Sequence, residues 1–129
     1  MQQRIVTCDD HVHITKLVEL TLRKAGFEVQ SYSDGLNAWN AIQENPPSLL
    51  VTDYEMPHMD GLELCRQLKS SVEIELPIIF LTARAFDLSP AQLQRDLGVT
   101  AVLHKPFSPK QLRELVQGIL IHERTEEQS

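Results

Sequence analysis

Residues 49–61, LLVTDYEMPHMDG, constrain the fold more than any other stretch of the chain. They open on a uniformly apolar run that ends at Asp53, and a helical pattern begins at Gly61. The run is far too short to span a membrane and lacks the alternation of a half-exposed strand. It predicts a buried parallel strand that presents Asp53 at the edge where open α/β sheets bind ligands. A single carboxylate there could equally be a helix cap or a loop acid.

Four further strand patterns surround this one, at residues 4–8, 27–32, 78–82 and 100–103. Each is followed by a helical pattern. Two helix starts are marked by Ser89 and Ser108, because each begins a capping box with Pro at the first helical position and Gln three residues after the cap. Five strands that alternate with helices predict an α/β fold with a parallel sheet, right-handed crossovers and helices on both faces.

Length and charge narrow the function classes. The chain has 129 residues, enough for one domain, which we place at residues 1–122, with residues 123–129 as a polar tail or the start of a linker. The net charge of −6 argues against direct nucleic-acid binding, which needs a clustered basic face. An acidic excess suits a cation site or a basic partner.

Cysteine and histidine spacing argues against a zinc site. Cys8 and Cys65 form no CxxC pair, and we expect both to be reduced and buried in a cytoplasmic protein. His11 and His13 are two residues apart and would not share a helix face, so their spacing argues against a metal role. No signal peptide or membrane-length apolar run is present, so we expect no membrane association.

Polar side chains end four of the five predicted strands. Asp9 and Asp10 follow the first strand, Asp53 the third, Thr82 the fourth and Lys105 the fifth. Singly, the first two acids could cap a helix, the threonine could be a strand residue and the lysine a surface residue. Together the five residues are expected at one sheet edge. Three close carboxylates repel one another there, and a divalent cation such as Mg²⁺ would neutralise them. The adjacent lysine and threonine suit phosphoryl chemistry, with Asp53 as a carboxylate nucleophile.

These motifs together resemble the receiver domain of two-component response regulators. The resemblance runs from Arg4 to about Leu120 and rests on four motifs: DD after the first strand, DYEMPHMDG around Asp53, LTA around Thr82, and KPF from Lys105. It implies a flavodoxin-like (βα)5 three-layer sandwich with strand order 2-1-3-4-5, an order that periodicity alone does not determine.

The resemblance also implies a role for each site residue. Asp53 would accept a phosphoryl group from a sensor histidine kinase or a histidine phosphotransfer protein. Asp10, Asp53 and the backbone carbonyl of Glu55 would bind Mg²⁺ (or Mn²⁺), with Asp9 acting directly or through water. Thr82 and Lys105 would hold the phosphoryl oxygens.

Further implications concern the surroundings of the site. The peptide bond between Lys105 and Pro106 would be cis. The output would pass to a downstream effector protein or an output domain, and the fourth and fifth helices with the fifth strand would form a face for homodimerisation or partner docking. The domain would not be an enzyme beyond its own phosphoryl uptake and slow autodephosphorylation.

One position departs from the family pattern, and a pair of charged residues is expected to modify the site. Val102 stands where the family commonly has Tyr or Phe, so the usual aromatic switch cannot operate. We expect activation to be relayed through Thr82 and movement of residues 83–98, or to be weak. Glu55 and Arg84, each two residues past a site residue, are expected to pair across the pocket mouth and shield the phosphoryl group from water.

Three other protein classes share parts of this pattern. A pseudo-receiver that is never phosphorylated and only binds proteins is the main alternative, and Val102 is its best support. A haloacid dehalogenase-type phosphatase needs two acids separated by one residue, whereas Asp9 and Asp10 are adjacent. A flavodoxin-like flavin carrier needs a phosphate-binding loop after the first strand, and none is present.

Overall fold

The computed structural model describes residues 3–71, 73–83 and 89–128, with side chains described as far as residue 121. Within these residues five strands alternate with five helices. The elements are β1 (Arg4–Cys8), α1 (Val12–Lys24), β2 (Glu28–Tyr32), α2 (Gly35–Glu44), β3 (Leu49–Asp53), α3 (Gly61–Ser70), β4 (Ile78–Thr82), α4 (Pro90–Leu97), β5 (Ala101–His104) and α5 (Pro109–Gln128).

The strands form one parallel sheet in the order β2-β1-β3-β4-β5. This is the flavodoxin-like order that the resemblance implied. β3 is the central strand and all five of its residues are buried, as its uniformly apolar run predicted. The edge strand β5 is only half-buried.

Helices cover both faces of the sheet and create two hydrophobic cores. Successive strand residues point to opposite faces, so Leu50 packs into one core and its neighbours Leu49 and Val51 pack into the other. Beneath α2, α3 and α4 the first core includes Val6, Cys8, Ala38, Ile42, Leu50, Leu64, Cys65, Leu68, Phe80 and Leu93. Beneath α1 and α5 the second includes Ile5, Val18, Leu22, Val29, Leu49, Val51, Ile79, Leu81, Leu112, Val116 and Leu120.

The predicted helix starts are confirmed by hydrogen bonds. The Ser89 hydroxyl accepts from the backbone N–H of Gln92 at 3.3 Å at the start of α4. At α5 the capping box is complete, because the Ser108 hydroxyl accepts from the N–H of Gln111 at 3.1 Å and the Gln111 side chain accepts from the N–H of Ser108 at 2.8 Å. Gly98 ends α4 with a φ of 70°.

The C-terminal helix extends beyond the boundary expected from sequence. Residues from 123 onward were expected to form a polar tail, but α5 is helical through Gln128. Among the described residues, no helix is both long and apolar enough to cross a bilayer.

The start of α3 packs closely against the end of β3. The N–H of Gly61 donates to the carbonyl oxygen of Tyr54 at 2.9 Å. A Cβ added at Gly61 would lie 3.1 Å from that same oxygen and would overlap the carbonyl oxygen of Asp53. Only glycine therefore fits at the first residue of α3, and this close approach fixes the loop between β3 and α3.

Candidate functional site

All five predicted side chains, Asp10 included, meet at the carboxyl edge of the sheet. Asp9 directly follows β1, Asp53 is the last residue of β3 and Thr82 is the last residue of β4. Lys105 follows β5, and its backbone N–H donates to the carbonyl oxygen of Thr82 at 2.7 Å. The edge opens into a cleft of about 920 Å³, whose lining includes Asp10, Asp53, Glu55, Thr82 and Lys105.

The Lys105 ammonium group joins two buried acids. Its Nζ lies 3.0 Å from Oδ2 of Asp9 and 3.2 Å from Oδ1 of Asp53. Asp53 Oδ1 also accepts a hydrogen bond from the backbone N–H of Tyr54 at 2.9 Å. Because Asp9 is fully buried at its side chain and Asp53 nearly so, water screens these charges weakly and the lysine is their main counter-charge among the described contacts.

Asp53 is electrostatically disfavoured as an anion. Its pKa is raised, chiefly because burial penalises the charged carboxylate and secondly because Asp9 is close. Lys105 and the hydrogen bond from Tyr54 oppose this shift and lower the pKa. An additional cation at the site would therefore stabilise the ionised, nucleophilic form of Asp53.

His11 joins the acidic cluster, although its spacing relative to His13 argued against a metal role. Its backbone N–H donates to Asp9 Oδ1 at 2.8 Å, and its ring Nδ1 lies 3.0 Å from the same oxygen. Nδ1 is also 3.3 Å from Asp10 Oδ1 and 3.7 Å from Asp53 Oδ2. His11 precedes α1 as its N-cap, so helical spacing did not apply. Its position directly after Asp10 was the sequence signal that could have identified it.

The donor set fits a divalent cation. One potential ligand atom from each of Asp9, Asp10, His11 and Asp53 lies within 4.8 Å of the others. Carboxylate oxygens are the ligands that Mg²⁺ and Mn²⁺ favour. Glu55 lines the same cleft, which is compatible with the predicted use of its backbone carbonyl.

The remaining predicted positions are only partly described. The peptide bond between Lys105 and Pro106 is cis, as the resemblance implied. Val102 lies opposite Phe80 in the sheet register, is half-buried and packs against the core beneath α4. Arg84 lies outside the described residues, so its pairing with Glu55 stays a prediction.

Cys8 and Cys65 are buried and form no disulfide, as the sequence predicted. The Cys8 thiol donates to the sulfur of Met56 at 3.0 Å. Burial is the main cause that raises the pKa of Cys8, and it raises the pKa of Cys65 to about 12. Both are thus inert thiols at neutral pH.

Comparison with known proteins identifies the family. The family model for the response regulator receiver domain matches residues 5–117. This chain belongs to that family. The receiver domain is 33% identical over 120 residues to the alkaline phosphatase synthesis transcriptional regulatory protein PhoP of Bacillus subtilis, a match that covers 93% of this chain and 49% of PhoP. It spans about half the length of the curated relatives it matches.

Solved structures give the same family. The chemotaxis response regulator CheY4 of Vibrio cholerae is 30% identical, with a TM-score of 0.83 over 92% of this receiver and 99% of CheY4. The receiver domain of sensor histidine kinase PA1611 from Pseudomonas aeruginosa is 25% identical, with a TM-score of 0.82 over 93% of this receiver and 98% of that domain. That structure holds a magnesium ion coordinated in its active site cleft.

Proposed function

We propose that this receiver domain is a phosphorylation switch. Asp53 takes a phosphoryl group from a phosphohistidine of a sensor kinase or a phosphotransfer protein, in a reaction that needs Mg²⁺ or Mn²⁺. The observation that carries the proposal is the buried carboxylate of Asp53 at the sheet edge, 3.2 Å from Lys105 and beside Asp9. The magnesium ion in the related PA1611 domain supports the cation requirement.

The transfer is a displacement at phosphorus. A carboxylate oxygen of Asp53 forms the new P–O bond, the P–N bond of the phosphohistidine breaks, and the electron pair leaves with the imidazole nitrogen. The cation would be held by Asp10, Asp53 and the backbone carbonyl of Glu55, with Asp9 acting directly or through water. When bound, it would supply positive charge beside the carboxylates and the phosphoryl oxygens.

Lys105 and Thr82 hold the product. The Lys105 ammonium, already 3.2 Å from Asp53 Oδ1, would pair with a phosphoryl oxygen, because charge-assisted hydrogen bonds to phosphate are strong. Thr82 ends the neighbouring strand in the same cleft, and its hydroxyl would donate to a second phosphoryl oxygen. The hydrogen bond between the backbones of these two residues holds them at the same edge.

The conformational output differs from that of most family members. Val102 is too short to swing inward, so Thr82 and movement of residues 83–98 relay the phosphorylation. If this relay is correct, Val102→Tyr changes partner affinity or the phosphorylation-dependent chemical shifts. A Val102→Tyr protein with neither change would contradict it.

The pocket rim sets the lifetime of the phosphoryl group. We expect Glu55 to pair with Arg84, which lies outside the described residues, and this pair would slow the attack of water on phosphorylated Asp53. Arg84→Ala would then shorten the lifetime of phosphorylated Asp53, measured by the decay of the intact-mass adduct after the phosphodonor is removed. An unaltered lifetime would contradict this role.

We expect the partners of a phosphorylation switch. A kinase or phosphotransfer protein donates the phosphoryl group, and an effector protein or a linked output domain reads the switch, with homodimerisation through α4, β5 and α5. The domain, at residues 1–122, works in the cytoplasm, does not itself bind nucleic acid, and catalyses only its own phosphorylation and slow autodephosphorylation.

The deciding experiment is intact mass after incubation with Mg²⁺ and acetyl phosphate. We expect one labile phosphoryl adduct on the wild type, and none on Asp53→Asn or after chelation. Asp60→Asn is the matched control and should keep the adduct, because Asp60 caps α3 through the N–H of Glu63 and Asn also caps well. A wild-type protein that binds Mg²⁺ but gains no phosphate from acetyl phosphate or from any kinase would indicate a pseudo-receiver.

A further inference from the structure

A nitrogen donor lies among the carboxylates of the proposed cation site. Nδ1 of His11 is within 3.0 to 3.7 Å of one oxygen from each of Asp9, Asp10 and Asp53. We propose that His11 is an imidazole ligand of this metal centre and that it shifts the metal preference of the centre away from Mg²⁺ toward first-row transition ions. This inference rests on the proposed function, since it adds a ligand to the same centre.

The position of the ring is not explained by helix capping. His11 is the N-cap of α1, yet its side chain makes no capping hydrogen bond. The ring instead turns back toward the acids, where Asp9 Oδ1 contacts both Nδ1 and the backbone N–H. One N–H group is directional and cannot serve three acceptors well. A cation bound between the nitrogen and the carboxylates would satisfy all of these groups.

The imidazole can adopt the form that metals need. Coordination requires a bare Nδ1, and a neutral imidazole can carry its proton on Nε2. The His11 side chain is 63% exposed, so Nε2 can keep its proton and bond to water. The Nδ1 lone pair is then available toward the acids.

Ligand chemistry predicts the change in selectivity. Carboxylate, carbonyl and water oxygens suit Mg²⁺, whereas imidazole suits ions such as Ni²⁺, Fe²⁺ and Zn²⁺. Affinity for a site with nitrogen and oxygen donors also rises along the series from Mn²⁺ to Ni²⁺. A centre with His11 should therefore favour Ni²⁺ over Mg²⁺ more strongly than the same three carboxylates alone.

The test compares two ions on tag-free protein by isothermal titration calorimetry. We expect His11→Ala to lower the ratio of Ni²⁺ affinity to Mg²⁺ affinity by about tenfold or more, mainly through weaker Ni²⁺ binding. His13→Ala is the matched control, because His13 lines the same cleft but lies outside the ligand cluster. It removes one imidazole and should leave the ratio unchanged.

A spectroscopic signature separates ligation from a general effect on the site. With Co²⁺ bound, the carbon-bound Cδ2 proton of a coordinated imidazole, which does not exchange with water, gives a strongly shifted proton NMR signal. This signal should be present in the wild type and His13→Ala and absent in His11→Ala.

The failure of this inference differs from failure of the switch. If His11→Ala keeps the wild-type Ni²⁺ to Mg²⁺ ratio and the shifted signal, His11 is not a ligand, while a phosphoryl adduct formed with Mg²⁺ would still support the switch. If the wild type binds no divalent ion and gains no phosphate, both proposals are wrong.

Discussion

Replacing Gly61 with alanine should damage both the stability and the chemistry of this receiver. The added Cβ would overlap the carbonyl oxygen of Asp53 and sit 3.1 Å from the carbonyl oxygen of Tyr54. These are backbone atoms at the end of the central strand, so they cannot rotate away. The loop between β3 and α3 must move by about 1 Å to restore van der Waals separation.

The magnitude is a balance of opposing terms. Alanine is favoured over glycine in a helix by about 1 kcal/mol. The overlap costs about 1 to 3 kcal/mol, and weakening the hydrogen bond from Gly61 to Tyr54 costs about 1 kcal/mol more. The free energy of unfolding should therefore fall by about 1 to 3 kcal/mol. Gly118, inside α5, has nothing within 4 Å of an added Cβ, so Gly118→Ala should raise stability by about 0.5 to 1 kcal/mol.

Urea denaturation of the two variants decides the matter. With a slope of about 1.5 kcal/mol per molar urea, the midpoint of Gly61→Ala should fall by about 0.7 to 2 M and that of Gly118→Ala should rise by about 0.5 M. Because Asp53 adjoins the displaced carbonyl, the rate of phosphorylation by acetyl phosphate should fall by about a hundredfold in Gly61→Ala. A Gly61→Ala protein with the wild-type midpoint and rate would refute this account of the loop.

Three further perturbations test the charges and caps. Asp34 caps α2 through the N–H of Asn37 at 2.8 Å, and this hydrogen bond lowers the pKa of Asp34. In urea titrations at pH 7, Asp34→Ala should lower the free energy of unfolding by about 1 kcal/mol, and Asp34→Asn should lower it much less. The cost of Asp34→Ala should shrink as the pH falls below about 4, because the wild-type carboxylate then becomes protonated. Lys105→Met leaves the buried carboxylates of Asp9 and Asp53 without their counter-charge. In EDTA this variant should therefore be less stable than the wild type by about 3 kcal/mol. In thermal unfolding, added Mg²⁺ should raise the stability of this variant more than that of the wild type. Asp53→Asn should be more stable than the wild type in EDTA at neutral pH, because the raised pKa of Asp53 means that its ionised form opposes folding. This advantage should disappear as the pH falls through that pKa. The reverse trend would contradict the electrostatics of the site.

Features that depend on local pattern were predictable from sequence. The apolar run before Asp53 gave a buried strand, and the Ser-Pro capping boxes gave the starts of α4 and α5. Residues that end parallel strands must share a sheet edge, so the approach of Lys105 to Asp53 also followed from the pattern. The strand order was not predictable from the pattern, because a right-handed crossover can add the next strand on either side of the sheet. Only the family resemblance implied the order.

Features that depend on side-chain direction in turns were not predictable. Helical spacing would keep His11 and His13 on different faces, but His11 lies in the turn before α1, where no periodicity sets the direction of its ring. Asp60-Gly61 indicated a helix start in the sequence. The contact of Gly61 with the backbone of Asp53 was not predictable, because it depends on how α3 folds back over the sheet. The extra turns of α5 carry no apolar face, so their helical form was missed.

The placement of the two thiols allows alkylation to monitor one face of the sheet. Cys8 and Cys65 are the only cysteines in the chain, and both belong to the core beneath α2, α3 and α4. Neither sulfur is accessible in the closed fold, so an alkylating reagent reacts only after that layer opens. The rate of alkylation therefore reports every opening that exposes this layer, global unfolding included, and a phosphoryl group or a metal ion that stabilises the layer would slow the labelling.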